Sequence, residues 1–193
     1  MTGFGPDALV ECYRRGVFPM ADERDAVTLY LMDPDRRAVF DVAAFQPSKS
    51  MRKFARKTYY TVTFNTAFHA VITACAELRE QTWISHGIQS LYSELHRRGE
   101  AHSVEVWDGE ALIGGLYGVS QGGAFFGESM FSTQSNASKL ALMHLMEHLS
   151  ERGFILLDAQ YMTDHLASLG AIEVSRSEYH RWLGRALSLD VGF

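Results

Sequence analysis

The stretch HSVEVWDGEALIGGLYGVSQGGAFFGESM, residues 102–130, decides how the chain is read. Three runs within it, His102 to Trp107, Ala111 to Val119 and Ala124 to Met130, are the most strand-like part of the chain, separated by Asp108-Gly109 and Gln121-Gly122-Gly123. An Asp-Gly pair supplies the positive φ angles of a tight primed turn, so the runs are expected to pair as a three-stranded antiparallel meander. Downstream, Asn136 or Ser138 starts a long helix carrying Leu140, Leu142, Met143, Leu145, Met146 and Leu149, which stops at Gly153. A buried strand from Phe154 to Asp158 follows, then a short helix ending at Gly170, a strand at Ala171 to Val174 and a helix from about Ser177 to Leu187.

Upstream, Asp7 caps a helix through Arg15, with Gly16 to end it, and Val17-Phe18-Pro19-Met20 leads into a loop-rich segment. The segment Asp33-Pro34-Asp35-Arg36-Arg37-Ala38-Val39-Phe40 begins as a turn and ends as a short strand. Tyr59 to Phe64 reads as a strand, followed by helices from about Thr66 to Arg79 and Ile88 to Arg98. The whole is α+β, and meander, helix, strand is the order of an acetyltransferase-like (GNAT-like) domain, a fold-level analogy that points to acyl transfer. We expect a small α/β N-terminal lobe, 1–101, and an acetyltransferase-like transfer domain, 102–193.

With 193 residues, 47% of them hydrophobic, the chain can bury a proper core. It has no apolar run long enough to span a membrane and no signal-peptide pattern at its start, so a cytoplasmic, membrane-free protein is expected. Cys12 and Cys75 sit in partly apolar helical runs and read as core residues. A net charge of −5 argues against a general nucleic-acid binder, yet one local patch runs the other way. In residues 48–57, Lys49, Arg52, Lys53, Arg56 and Lys57 occur with no acid among them. On a helix, Arg52 with Arg56 and Lys53 with Lys57 stack into a basic ridge while Met51, Phe54 and Ala55 pack inward. The ridge suits a phosphate backbone, or it is a solvated charged face.

Two acids stand in apolar surroundings. Glu128 lies among Phe125, Phe126, Gly127, Ser129, Met130 and Phe131, where a carboxylate is expensive to bury unless it binds something or is paired. Gly127 allows close approach of a ligand or marks a bulge. Asp158 ends an apolar strand, and Gln160 two residues on shares its face and can hydrogen-bond it; alternatively Asp158 caps the next turn. The eight histidines include one i,i+4 pair, His144 with His148, without a metal signature. Neither a hydrolase elbow around Ser129 nor a phosphate-cradling glycine loop is present, so the acyl donor must arrive already activated. No metal or cofactor is expected.

Several segments resemble the leucyl/phenylalanyl-tRNA-protein transferase family of bacteria. They include Tyr13-Arg14-Arg15-Gly16-Val17-Phe18-Pro19, Asp33-Pro34-Asp35-Arg36-Arg37, Thr82-Trp83-Ile84, Gly114-Gly115-Leu116-Tyr117-Gly118-Val119, Gly127-Glu128-Ser129-Met130-Phe131-Ser132, Asn136-Ala137-Ser138-Lys139 and His165 through Ala171. The resemblance implies transfer of Leu or Phe, with Met as a further candidate, from charged tRNA onto proteins with N-terminal Arg or Lys, which marks them for N-degron degradation. It further implies that Asp158 and Gln160 handle the attacking amine and that Glu128 engages donor or recipient. Tyr13 and Trp83 would lie near the tRNA adenosine, and Leu116, Tyr117, Phe125, Gly127 and Ser129 would build the substrate pocket. The basic ridge would meet the acceptor stem. Met20, Leu31, Met32 and Thr163 depart from the family pattern, which has Trp, Trp, Trp and Asn there. A monomer is expected.

Two other classes compete. An acyl-coenzyme A enzyme would want a glycine- and arginine-rich loop, whereas residues 132–138 carry no basic residue before Lys139. A binding module that recognises tRNA ends or protein N-termini would keep the pocket and ridge but could dispense with Asp158. Asp158→Ala is expected to cripple transfer with the fold intact.

Overall fold

A computed structural model describes residues 4–21, 24, 28–78 and 82–193. The elements in order are α1 (Pro6–Arg14), β1 (Phe18–Met20), β2 (Tyr30–Met32), β3 (Arg36–Asp41), α2 (Lys49–Ala55), β4 (Thr61–Phe64), α3 (Phe68–Glu77), α4 (His86–Arg97) and β5 (Ala101–Asp108). They continue with β6 (Ala111–Gln121), β7 (Ala124–Ser132), α5 (Ala137–Glu151), β8 (Leu156–Gln160), α6 (Asp164–Ser168), β9 (Ile172–Ser175) and α7 (Arg176–Leu187). The meander forms as read: β5 pairs antiparallel with β6 and β6 with β7, and Gly109 (φ 59°) and Gly122 (φ 52°) turn the chain between them.

These strands sit in a seven-stranded sheet of order β4-β5-β6-β7-β8-β3-β9. Its neighbours pair antiparallel except β7 with β8, which are parallel because the chain between them crosses over through α5. That parallel pairing covers Ala124↔Leu156, Phe125↔Leu157 and Phe126↔Asp158, while both strands continue beyond it. A V-shaped opening therefore forms in the middle of the sheet.

Helices cover both faces. On one side α5 packs with α2 over Val104, Val106, Leu116, Phe125 and Leu157; on the other, residues of α1, α3, α4 and α7 pack on Tyr117, Val119, Phe126 and Leu156. Adjacent residues such as Leu116 and Tyr117 join opposite clusters, as strand alternation requires. Burial on both faces explains why the central strands read as nearly continuous apolar runs.

Local differences from the sequence reading have local causes. Helix α1 starts with Pro6 in its first turn and Gly5 as cap, which leaves Asp7 inside the first turn. The last strand before α6 is displaced two residues forward, because the Phe154 N–H closes α5 on the Leu149 carbonyl. Residues 18–32, expected to be loop-rich, contain the antiparallel pair β1–β2. Arg79, the expected end of α3, lies outside the described residues. Strands β3 and β4 come from before the expected lobe boundary at residue 101, yet pair with strands that follow it.

Candidate active site

Where β7 and β8 part, the sheet opens into a cavity of about 250 Å³. Phe40, Leu116, Leu142, Leu145, Leu157 and Leu166 make its wall apolar, and Tyr117, Glu128, Ser129, Asp158, Thr163 and His165 also line it. The long apolar helix α5 supplies Leu142 and Leu145, while Thr163, His165 and Leu166 come from the α6 turn.

Glu128 is there because of a β-bulge. Tyr117 pairs with Ser129 but Gly118 pairs with Gly127, so Glu128 is the unpaired extra residue of β7 and leaves the normal alternation. Gly118 permits this: a Cβ there would meet the Phe126 carbonyl oxygen at 2.2 Å. The Glu128 side chain is buried, 7% exposed. Its Oε2 accepts a hydrogen bond from the Tyr92 hydroxyl at 2.7 Å and its Oε1 accepts one from Gln160 Nε2 at 3.0 Å. The Tyr92 hydroxyl also meets that of Tyr13, and both rings are completely buried. Burial pushes the Glu128 pKa up to about 7, against the pull of the Tyr92, Tyr13 and Gln160 hydrogen bonds; the nearby Asp158 charge adds to the rise.

A second bulge places Gln160. Val39 pairs with Asp158 but Ala38 pairs with Gln160, which leaves Ala159 unpaired, and Gln160 adopts a left-handed backbone at φ 64°. The expected side-chain pair between Asp158 and Gln160 is thereby corrected. Asp158 Oδ1 accepts the backbone N–H of Gln160 at 2.9 Å, and the Gln160 amide turns instead to Glu128. An alternating strand would have put both side chains on one face; the bulge breaks the alternation.

Asp158 is completely buried and its oxygens are taken. Arg37 grips it with Nε to Oδ1 at 2.9 Å and Nη2 to Oδ2 at 2.7 Å, and the Tyr179 hydroxyl donates to Oδ2 at 2.8 Å. The guanidinium lies between two rings, 4.5 Å from the centroid of Phe18 and 4.4 Å from that of Tyr179. Burial alone would lower the Arg37 pKa, but the paired Asp158 outweighs it and the charge is held.

Leu116, Tyr117, Gly127 and Ser129, which the resemblance assigns to a substrate pocket, line the cavity, and the buried Ser129 Oγ has no hydrogen-bond partner among the described residues. Phe125 and Tyr13 do not reach it. Phe125 is buried in the α5-side core against Phe193, and Tyr13 packs on Phe126 behind Tyr92, with no surface to offer a ligand. Trp83 packs partly buried against the opposite core and does not line the cavity.

The basic segment forms α2, capped by Ser48, whose Oγ accepts the Met51 N–H, and Met51, Phe54 and Ala55 pack inward. Lys49, Arg52, Lys53 and Arg56 line a groove of about 590 Å³ against Met143 and Glu147 of α5. The helix ends at Ala55, so Lys57 lies past it and the expected Lys53–Lys57 stack does not form. Helix α5 thus borders both openings, with Leu142 and Leu145 at the cavity and Met143 and Glu147 at the groove.

Sequence reasoning missed Arg37, Tyr92 and Tyr179. Arg37 alone left a trace, as an arginine leading directly into the apolar run Ala38-Val39-Phe40. Nothing near Tyr92 or Tyr179 marks them, since their partners lie 36 and 21 residues away.

Residues 39–184 match the family model described as leucyl/phenylalanyl-tRNA protein transferase, and residues 4–35 match that of its N-terminal domain. Relatives named leucyl/phenylalanyl-tRNA protein transferase include one from Maricaulis maris, 52% identical across 100% of this chain and 91% of its own length. Another, from Rubrobacter xylanophilus, is 53% identical across 97% of each. Among solved structures, FemX shares the fold, with a TM-score of 0.60 and 11% identity over 88% of this chain and 66% of that one.

Proposed function

Because the chain belongs to the leucyl/phenylalanyl-tRNA protein transferase family, we propose that the cavity between β7 and β8 is where an aminoacyl group passes from tRNA to the N-terminal amine of an acceptor protein. The observation that carries this is a buried carboxylate, Glu128, on the wall of an apolar cavity, with a pKa raised to about 7.

The chemistry needs a neutral amine, a polarised ester carbonyl and a proton for the leaving oxygen. The acceptor amine attacks the ester carbon, and as the C–N bond forms Glu128 takes one N–H proton. Collapse of the tetrahedral intermediate breaks the bond to the ribose oxygen, which receives that proton from Glu128. A group with a pKa of about 7 suits both steps near neutral pH. Gln160 holds the Glu128 carboxylate, and the Ser129 hydroxyl, unpartnered among the described residues, is free to donate to the ester oxygen. Asp158, with its oxygens bonded to Arg37, Tyr179 and the Gln160 N–H, acts at one remove by fixing Gln160.

The apolar wall favours Leu, Phe and Met as donors, each buried methylene contributing roughly 0.8 kcal/mol. Acceptors with N-terminal Arg or Lys, delivery to degradation, a cytoplasmic setting and a monomeric enzyme follow the family resemblance. No helix among the described residues is long and apolar enough to cross a membrane. The parallel β7–β8 pair, open beyond a bulge, supports an acetyltransferase-like reading of the fold. We retain residues 1–101 as the tRNA-facing part and 102–193 as the transfer part, a division of labour across one shared sheet.

Labelled Leu, Phe, Met and Val, each supplied on its tRNA to a model protein with N-terminal Arg, test this reading. Leu and Phe should be transferred and Val rejected; equal use of Val, or tRNA binding without transfer, would overturn it. The groove beside α2 is read as the tRNA contact. Replacing Lys49, Arg52, Lys53 and Arg56 by Gln should weaken aminoacyl-tRNA binding and flatten its salt dependence by a log–log slope of about 3–4. An unchanged slope would remove the groove from the interface.

A further inference from the structure

We propose that Arg37 and Tyr179 are positioning residues for transfer: acting through Asp158, they lock the β8 bulge so that the Gln160 amide is delivered to Glu128. This rests on the reading of Glu128 as the proton acceptor. Gln160 is held in a left-handed conformation that non-glycine residues seldom adopt unless their surroundings impose it. What imposes it here is the bond from its own N–H to Asp158 Oδ1, the same oxygen that accepts Arg37 Nε. Asp158 is in turn fixed by Arg37 Nη2 and the Tyr179 hydroxyl at its other oxygen. The chain of bonds runs from α7 and β3, through β8, to the bulge of β7. Arg37, at 1% exposure and clamped between the Phe18 and Tyr179 rings, has no freedom to serve a substrate directly. Neutralising Asp158 and aiming its neighbour is the role its geometry allows.

The readout is Glu128 itself. The groups acting on it are Tyr13 of α1, Tyr92 of α4 and Asp158 with Gln160 of β8, while Tyr117 of β6 acts on Tyr92, His165 of α6 shares the cavity and Arg37 lies behind Asp158. A hydrogen bond to the charged carboxylate lowers its pKa, so a misaimed Gln160 lets it rise.

Tyr179→Phe keeps the ring beside Arg37 and removes only the hydroxyl; Arg37→Lys keeps the charge but not the two-pronged grip. Each folded variant should show kcat reduced about tenfold, an unchanged KM for Leu-tRNA, and an acid limb of the pH–rate profile moved to higher pH. Gln160→Ala should show the same shift, and Tyr179→Phe should add nothing to it. Thermal melts report whether each variant is folded, and a merely structural role would change them without moving the acid limb. Parental kcat and acid limb in the folded variants, or a further shift when Tyr179→Phe is added to Gln160→Ala, would overturn the proposal. Glu128→Gln separates the two readings. If it transfers at the parental rate, the proton-acceptor reading fails; if it is slow while Tyr179→Phe is unaffected, only the positioning claim fails.

Discussion

Glu128→Gln transfers Leu at least about a hundredfold more slowly than the parent chain, the span usual for losing a general base, and at pH 8 it melts at a higher temperature. Both effects have one origin. The Glu128 pKa is raised from 4.5 to about 7 in the fold, chiefly by burial. The folded state therefore holds the proton more tightly than the unfolded one. Stability is highest below the unfolded pKa and falls as the pH rises from 4.5 through about 7, for a loss of about 3 kcal/mol in all. A neutral glutamine keeps an acceptor for the Tyr92 hydroxyl and leaves out the buried charge, so it recovers part of that loss. The Gln160 amide must turn over to meet it. Melting curves from pH 5 to 8 check the prediction: the parent chain loses stability across this range, and the variant's curve is flatter. A variant that is both slow and less stable at pH 8 would mean that Glu128 is held as part of the scaffold.

Asp158→Ala loses about 3–5 kcal/mol of stability, because it leaves the Arg37 charge buried without its partner. Against total stabilities of about 5–15 kcal/mol for ordinary domains, that is a large fraction. The expectation that this substitution spares the fold is thus revised by the burial of the pair. Urea midpoints measure the loss. Replacing both members with apolar residues, Arg37→Met with Asp158→Leu, should recover most of the stability, since neither charge then remains unpaired. Transfer should stay slow in the double variant, because nothing anchors the Gln160 N–H. Recovery of transfer along with stability would show that the ion pair serves folding alone.

The fold was legible where its determinants are local. The Asp108-Gly109 turn, the apolar face of α5 with its stop at Gly153, and the Met51, Phe54 and Ala55 side of α2 are each readable from spacing and turn residues. The place of β3 between β8 and β9 was not, because both pairings join segments more than a hundred residues apart. At the site, Glu128 and Asp158 declared themselves as acids in apolar runs. Their partners did not, since two bulges re-aim the side chains and no alternation rule anticipates a bulge. Tyr13, which the resemblance places near the tRNA adenosine, is buried beside Tyr92, where its hydroxyl meets that of Tyr92 and bears on the Glu128 carboxylate. The β1–β2 pair, where Met20, Leu31 and Met32 lie, was hidden by its brevity.

The most direct test of the central claim, that Glu128 is the proton acceptor in transfer, is the pH dependence of single-turnover transfer from Leu-tRNA to an acceptor with N-terminal Arg, measured for the parent chain and Glu128→Gln. Below its pKa Glu128 is protonated and cannot take the amine's proton, so the parental rate should rise through a midpoint near pH 7. The variant should lack that rise and stay slow throughout. The same midpoint and plateau in both proteins would contradict the assignment.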